Sequence, residues 1–166
     1  MKTLILIRHA KSDWGDAATA DHDRELAPRG LRDAPVMAAR LREHLNAAGT
    51  PLQRIVSSTA VRARTTAEFF GATAGVPVDL DRSLYGAGPE VPLRVASRHP
   101  DADVLAVVAH NPGLTMLAYD LSSLAPGEPI GEMPTCAVAA FAWPDADDWS
   151  LIDALPPAVW FAAPGR

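Results

Sequence analysis

Two histidines lie where short apolar segments of the chain give way to polar ones. Arg8 and His9 follow the apolar run 3–7, and His110 follows the apolar run 104–109. Continuous apolar runs of this length are typical of strands that are buried on both faces. Ligands of open α/β sheets bind beyond the carboxyl ends of such strands, so we expect both histidines at one cleft.

Arg62 is expected to reach the same cleft from a helix. It lies in the first turn of the helix that the sequence predicts over 59–74, after the short strand predicted at 54–56, in which Ile55 and Val56 are apolar. The helix dipole disfavours a cation in that turn unless an anion binds there as well. A guanidinium and a helix N-terminus can share a phosphate, and another helix is predicted to begin at Asn111, beside His110. These residues predict a site for a dianion.

The residue types suit phosphoryl transfer, which needs positioned positive groups around the phosphate oxygens. Arg8 and Arg62 can each donate two parallel hydrogen bonds to a phosphate, which Lys cannot match in geometry. A histidine can attack phosphorus if its attacking nitrogen is unprotonated, and neighbouring cations favour that neutral form. The second histidine can stay protonated and donate to the phosphate. These considerations leave open whether His9 or His110 attacks.

The segments between the apolar runs show helical spacing. In the first of them, one apolar face steps by three and four residues, through Leu31, Ala34, Ala38, Leu41 and Leu45. Pro35 interrupts this segment, so the helix is predicted either to begin at Asp33 or to begin near Pro28 and kink. A third helix is predicted from Asn111-Pro112 to about Leu124, with Asn111 as its N-cap.

The order of elements predicts the fold class. Two late strands are predicted at 137–142 and 149–154, and the Pro-rich segment 125–135 is predicted to be a loop. Strands that alternate with helices favour an α/β fold, a three-layer α/β/α sandwich with a central, mostly parallel sheet. No repeat or low-complexity linker divides the 166 residues, so we expect one domain over 1–166.

The composition excludes several functions. Charged residues make up 21% of the chain and the formal net charge is -5, which argues against an electrostatic grip on nucleic acid. Cys136 is the one cysteine, so neither an intramolecular disulfide nor a cysteine cluster for zinc can form, and a packing role is predicted for it. No apolar stretch suits a signal peptide or a membrane span, so we expect a cytoplasmic protein without membrane contact.

The segment Arg8-His9-Ala10-Lys11-Ser12 resembles the Arg-His-Gly signature of the histidine phosphatase superfamily, which includes the phosphoglycerate mutases. The pattern Ser-Ser-x-x-x-Arg-Ala-x-x-Thr at 57–66, with Thr65 or Thr66 at its last position, fits the same family. So do the loop 21–30 and His110. With the short chain, these motifs are most similar to the SixA-type phosphohistidine phosphatases, which implies a phosphoglycerate mutase-like fold.

This resemblance runs from residue 3 to about 115 and implies that His9 is the nucleophile. The phosphate pocket would be formed by the other residues already singled out, Arg8, Arg62 and His110. Ser12 would be a further phosphate donor. Lys11, at the pocket rim, and Asn111 are additional candidates for binding substrate.

Two features depart from the family pattern. Ala10 stands where the family has Gly, so the backbone beside the nucleophile must accommodate a Cβ. Many members use a Glu in the region corresponding to 80–90; here Asp81 and Glu90 are the candidate general acids, and neither matches cleanly. Because a phosphoramidate leaves readily once protonated, the lack of a matching acid favours phosphohistidine over phosphate esters.

The resemblance therefore implies a metal-independent phosphatase without a cofactor, acting on phosphohistidine in a protein through a phosphohistidine enzyme intermediate. The alternatives are a small-molecule phosphomonoesterase of the same family and a non-catalytic phosphate-binding scaffold. Little material for a lid separates Ser83 from Val104, and an open site suits a phosphoprotein partner but also a promiscuous phosphatase. Phosphate or another oxyanion is expected in the pocket.

Several other residues have structural interpretations. Asp21, His22 and Asp23 are consecutive in a loop, a spacing that converges poorly on a metal, so capping and salt bridges are predicted for them. Arg24 and Trp14 are interpreted as structural or packing residues, with the rim of the cleft as the alternative.

Overall fold

The computed structural model describes residues 1–165, and Arg166 lies outside the described residues. The strands are Lys2–Arg8 (β1), Arg54–Ser57 (β2), Val78–Leu80 (β3), Val104–Ala109 (β4), Val138–Trp143 (β5) and Ala158–Ala162 (β6). They form one six-stranded sheet in the order β3-β2-β4-β1-β5-β6. The four strands β1, β2, β3 and β4 pair with one another in parallel. β5 pairs antiparallel with β1, and β6 pairs antiparallel with β5, so the sheet is mostly parallel, as predicted.

Helices cover both faces of the sheet. The α-helices within residues 1–165 are Pro28–Ala47 (α1), Val61–Ala74 (α2), Glu90–Ser97 (α3) and Gly113–Ser122 (α4). Leu4 and Leu6 of β1 pack in a core with residues of α3 and α4, whereas Ile5 and Ile7 pack in a second core with α1 and α2. Successive side chains of a strand point to opposite faces. The three-layer α/β/α fold and the doubly buried first strand are thus confirmed.

The predicted helices begin close to their expected positions. α1 starts with Pro28 in its first position and continues through Pro35, so the earlier of the two predicted starts is the observed one. α4 begins at Gly113 and its N-cap is Pro112, so the prediction of Asn111 as the N-cap is wrong by one residue. From the position before the N-cap, the Asn111 Oδ1 still accepts a hydrogen bond from the Thr115 amide at 3.1 Å, in the first turn of the helix.

The strand predicted at 149–154 is wrong. This segment is a 3₁₀ helix, Trp149–Ala154, which begins where the Asp148 side chain accepts a hydrogen bond from the Ser150 amide at 2.8 Å. Trp149 and Ile152 are its buried residues. Their spacing of three is the period of a 3₁₀ helix, not the alternation of a strand.

The sequence patterns also do not predict the two outer strands. β3 has three residues, of which two are exposed, and most of β6 is exposed. β3 is too short for a clear pattern. β6 is apolar throughout 158–162 but is not among the predicted strands; it lies at the edge of the sheet, where it packs on one neighbouring strand and stays largely exposed. The other late strand, predicted at 137–142, is observed as β5, shifted by one residue.

Gly30 generates a prediction about the contact between α1 and the loop after β1. A Cβ added to Gly30 would lie 2.3 Å from the carbonyl oxygen of Lys11. We expect Gly30→Ala to lower the free energy of unfolding by about 1–3 kcal/mol, because overpacking forces the backbone to move. Equilibrium urea unfolding measures the loss. Gly131→Ala is the control, since nothing lies within 4 Å of its Cβ position, and equal losses in both variants would contradict this explanation.

Candidate active site

Strands β1 and β4 place two histidines side by side. Arg8 pairs with Ala109 in the parallel register, so His9 and His110 each follow one of two neighbouring strands at the same edge. The centres of their imidazole rings are 5.2 Å apart. The structure thus brings together the two histidines that the sequence places at one cleft.

His9 is held as a neutral imidazole. Its Nδ1 lies 2.7 Å from the carbonyl oxygen of Ala10, and because a carbonyl only accepts, Nδ1 must carry the proton. Burial is the main cause that lowers the pKa of His9 to about 3, and Arg62 and Arg8 lower it further. Nε2 therefore keeps its lone pair at neutral pH and can act as a nucleophile.

His110 presents a donor to the same space. Its Nε2 lies 2.8 Å from Ser58 Oγ, which itself accepts a hydrogen bond from the Ala60 amide at 3.3 Å. The Ser58 hydrogen is then available for Nε2, so we assign the imidazole proton to Nδ1. Burial and then Arg62 lower the pKa of His110 to about 4, although Asp21 raises it. Burial and Arg62 thus keep His110 neutral rather than protonated, and a dianion bound beside it would favour protonation.

The two predicted arginines are anchored to backbone carbonyls. Arg8 Nη1 donates to the Met133 carbonyl at 3.1 Å, and Arg62 Nη1 donates to the Asp21 carbonyl at 2.7 Å. The Nε atoms of both arginines and Nδ1 of His110 are buried without a hydrogen-bond partner in residues 1–165. Buried donors are costly to leave unpaired, so their grouping indicates an anion-binding site.

Asp21 links the cationic side chains of the site. Its carboxylate accepts hydrogen bonds from Arg62 Nη2 at 3.1 Å, from Arg24 Nε at 3.1 Å and from the Tyr85 hydroxyl at 2.5 Å. The Tyr85 hydrogen bond is the largest of the effects that lower the pKa of Asp21 to about 2. Asp21 therefore stays ionised and forms the salt bridges that the sequence predicts for it.

Thr66 couples the loop that carries His9 to the helix that carries Arg62. Its hydroxyl accepts a hydrogen bond from the Ala10 amide at 3.0 Å and donates to the Arg62 carbonyl at 2.7 Å. Thr66 rather than Thr65 thus occupies the last position of the motif at 57–66. Ala10 is buried and lacks a positive φ, so the backbone accommodates its Cβ.

One pocket contains most of the residues predicted for the site. The predicted residues that line it are Arg8, His9, Lys11, Ser12, Arg62, His110 and Asn111. Ser12 Oγ accepts from Arg24 Nη1 at 2.8 Å and keeps its own hydrogen for a ligand. The Asn111 side chain is engaged within the protein, because Nδ2 donates to the Met133 carbonyl and Oδ1 accepts from Thr115.

The two candidate general acids lie elsewhere. The Asp81 carboxylate accepts hydrogen bonds from the amide and hydroxyl of Ser83 and from Arg98, and these interactions, led by Ser83, lower its pKa. Glu90 begins α3. Neither carboxylate lines the pocket that contains His9.

Three further residues line the pocket: Trp14, Arg24 and Thr135. For Trp14 and Arg24, the alternative position at the rim of the cleft is the observed one. Arg24 lies within the loop 21–30 that resembles the family, and this resemblance is the one feature of the sequence that marks Arg24 as a pocket residue. Thr135 ends the Pro-rich loop, and no local pattern marks it as a pocket residue.

Thr66 gives a prediction for the alignment of the site. Thr66→Val leaves the buried Ala10 amide unpaired, which should lower the free energy of unfolding by about 1–3 kcal/mol. The loop of His9 can then shift relative to α2, so binding of inorganic phosphate should weaken. Urea unfolding and calorimetry measure the two effects. Thr65→Val, at the adjacent and more exposed position, is the control, and a loss of the same size there would argue against this role of Thr66.

The two buried histidines make stability depend on pH. The pKa values of His9 and His110 in the folded protein are about 3 and about 4, below the ordinary value of 6.5. Between pH 6.5 and these lower values, the unfolded chain therefore binds protons on both histidines that the folded chain does not. The free energy of unfolding should therefore fall as the pH falls below 6.5, by about 2 kcal/mol per histidine at pH 5. Urea unfolding at pH 7 and pH 5 measures this fall. His9→Asn should lose less stability than the wild type between the two values, and equal losses would contradict the assignment.

Comparison with known proteins identifies the family. Residues 4–85 match the family model of the histidine phosphatase superfamily (branch 1). An uncharacterised protein of Mycobacterium tuberculosis is 39% identical over 140 residues, which cover 80% of this chain and 84% of the relative.

Solved structures share the fold over nearly the whole chain. A structure assigned as the phosphohistidine phosphatase SixA of Nakamurella multipartitia has a TM-score of 0.79 and 27% identity, and the match covers 99% of this chain and 97% of that one. The protein histidine phosphatase SixA complexed with tungstate has a TM-score of 0.71 and 20% identity, over 96% and 95%. The resemblance inferred from the sequence is thus confirmed: the chain belongs to the histidine phosphatase superfamily, branch 1, and is a phosphatase with a SixA-like fold.

Proposed function

We propose that this protein is a metal-independent phosphatase that accepts a phosphoryl group on His9 and that its substrate is phosphohistidine in another protein. The observation that carries the proposal is the group of buried, unpartnered donors on Arg8, Arg62 and His110 beside the neutral His9. An anion that fills this group would lie next to the His9 nucleophile.

The same atoms define the chemical steps. His9 Nε2 forms a bond to phosphorus while the bond from phosphorus to the protonated substrate imidazole breaks, and the electron pair of that bond leaves with the imidazole. The His9 ring becomes positively charged, and the hydrogen bond from Nδ1 to the Ala10 carbonyl stabilises that charge. Water then attacks phosphorus, the bond to Nε2 breaks, its electron pair returns to His9, and both protons of the water leave with the product as dihydrogen phosphate. The donors on Arg8 and Arg62 stabilise the charge on the phosphate oxygens in both steps.

The position of the carboxylates supports a phosphoramidate substrate. Asp81 and Glu90 do not line the pocket, and Asp21 is held ionised by the Tyr85 hydroxyl and two arginines. An alkoxide leaving group needs a proton from a positioned acid, whereas a protonated phosphoramidate does not. The likeness to SixA structures supports a phosphohistidine substrate, and the tungstate in one of those structures supports the binding of an oxyanion in the pocket.

A small-molecule phosphomonoesterase is the second candidate, since it would use the same pocket. The non-catalytic scaffold is disfavoured because Arg8, His9, Arg62 and His110 all line one pocket. The cytoplasmic location also stays a prediction. None of the helices within residues 1–165 combines the length and the apolar character needed to cross a bilayer.

A substrate panel tests the proposal. Turnover of a phosphohistidine-bearing protein, phenyl phosphate and an alkyl phosphate would be compared in excess chelator. We expect the phosphoprotein to have the highest kcat/KM, and His9→Ala to lower it by at least about a thousandfold, because the nucleophile is lost. Arg62→Ala should also lower it strongly. Arg64→Ala, which removes an exposed arginine of the same helix, should leave it unchanged.

Each contrary outcome has one meaning. Loss of activity in chelator would contradict the metal-free mechanism, although no three His, Cys, Asp or Glu side chains in residues 1–165 are grouped to hold a metal. Faster turnover of the monoesters would favour the small-molecule phosphatase. Binding of phosphate without turnover of any substrate would favour the scaffold.

A further inference from the structure

Trp14 is an exposed aromatic side chain at the rim of a pocket that is otherwise polar. It lines the same pocket as His9 and Arg62, yet 69% of it is exposed, whereas His9 is 6% exposed. The nucleophile therefore lies at the floor of the pocket and the indole at its mouth. A single exposed aromatic side chain is normal by itself, but at the rim of a polar pocket the indole is placed to pack against whatever binds there.

The indole is supported by a rigid cation. The Arg24 guanidinium carbon lies 3.4 Å from the centre of the Trp14 ring, so the two planes are in direct contact. Arg24 is 7% exposed, and its N–H groups donate hydrogen bonds to Asp21 and Ser12, which fix the guanidinium in place. Contact with a guanidinium stabilises an aromatic face and limits the rotation of the ring. One face of Trp14 is thus covered, and the exposure of the residue leaves the rest of the ring open.

The in-line geometry of phosphoryl transfer determines which part of the substrate reaches the mouth of the pocket. In phosphoryl transfer the attacking and leaving atoms lie roughly in line on opposite sides of phosphorus. With His9 attacking from the floor, the leaving group points outward, toward the residues at the rim. The group attached to phosphorus is therefore the part of the substrate that can contact Trp14.

We propose that Trp14, supported by Arg24, forms a leaving-group subsite that selects phosphates attached directly to a planar aromatic ring, such as imidazole or phenyl. This inference rests on the proposed function, because it takes the His9 pocket as the phosphate site. Offset or edge-to-face packing on the indole favours a planar ring over an alkyl chain. The subsite would thus select among leaving groups by packing alone, with no need for a carboxylic acid in the pocket.

Two non-hydrolysable probes test the subsite by binding alone. Phenylphosphonate and methylphosphonate carry the same acidic group, and only the first has a ring on phosphorus. Calorimetry on the full chain would compare wild type, Trp14→Leu, which stays apolar but loses the ring, and Trp14→Phe, which keeps a ring. Tyr119→Ala is the matched control, since Tyr119 is also an exposed aromatic, at 51%, and does not line the pocket.

The expected result is a change in selectivity. Wild type and Tyr119→Ala should bind phenylphosphonate about five- to tenfold more tightly than methylphosphonate, and Trp14→Phe should keep most of that ratio. Trp14→Leu should reduce the ratio to about twofold or less, because stacking is lost while apolar contact remains. An unchanged ratio in Trp14→Leu would overturn the subsite and leave the phosphate pocket intact. Failure of the wild type to bind either phosphonate would overturn the pocket and the subsite together.

Discussion

Two guanidinium groups with buried Nε atoms, Arg62 buried and Arg8 half-buried, lie beside a neutral histidine, and this is the constraint on which the rest of the structure depends. Cations and donors without partners are costly away from water. Arg8 donates one N–H to the Met133 carbonyl and Arg62 donates one to the Asp21 carbonyl, which reduces this cost, whereas the two Nε donors have no hydrogen-bond partner within residues 1–165. The same burial and positive charge keep His9 neutral, so the conditions that favour an anion also leave Nε2 of His9 unprotonated, as the proposed role of His9 requires.

The scaffold satisfies this constraint with contacts between segments that are far apart in the chain. The parallel pairing of β1 with β4 places the two histidines together. The Thr66 hydroxyl fixes the loop of His9 against α2, and the loop before β5 supplies the Met133 carbonyl. Asp21 joins Arg62 to Arg24, and Arg24 supports Trp14. Hydrogen bonds therefore join Arg62, Asp21, Arg24 and Ser12, and Arg24 contacts Trp14 at the rim of the same pocket.

The sequence predicts the elements whose burial leaves a clear pattern. β1 and β4 are buried on both faces, so their apolar runs are continuous, and Arg8, His9 and His110 could be placed because they directly follow those runs. The segment 149–154 was predicted wrongly because buried residues three apart in a short window do not distinguish a 3₁₀ helix from a strand. The anchoring carbonyls could not be predicted, since every residue has one and only tertiary packing decides which carbonyl meets an arginine.

The most direct test of the central claim is to trap the phosphorylated enzyme. Rapid alkaline quenching during turnover, followed by peptide mass spectrometry, locates any phosphoryl group, because phosphohistidine survives in base. The structure predicts one phosphoryl group on His9, formed and lost at rates consistent with turnover, and none in His9→Ala. A phosphoryl group on His110 instead, or turnover without any phosphoenzyme under conditions where its breakdown limits the rate, would contradict the assignment of His9 as the nucleophile.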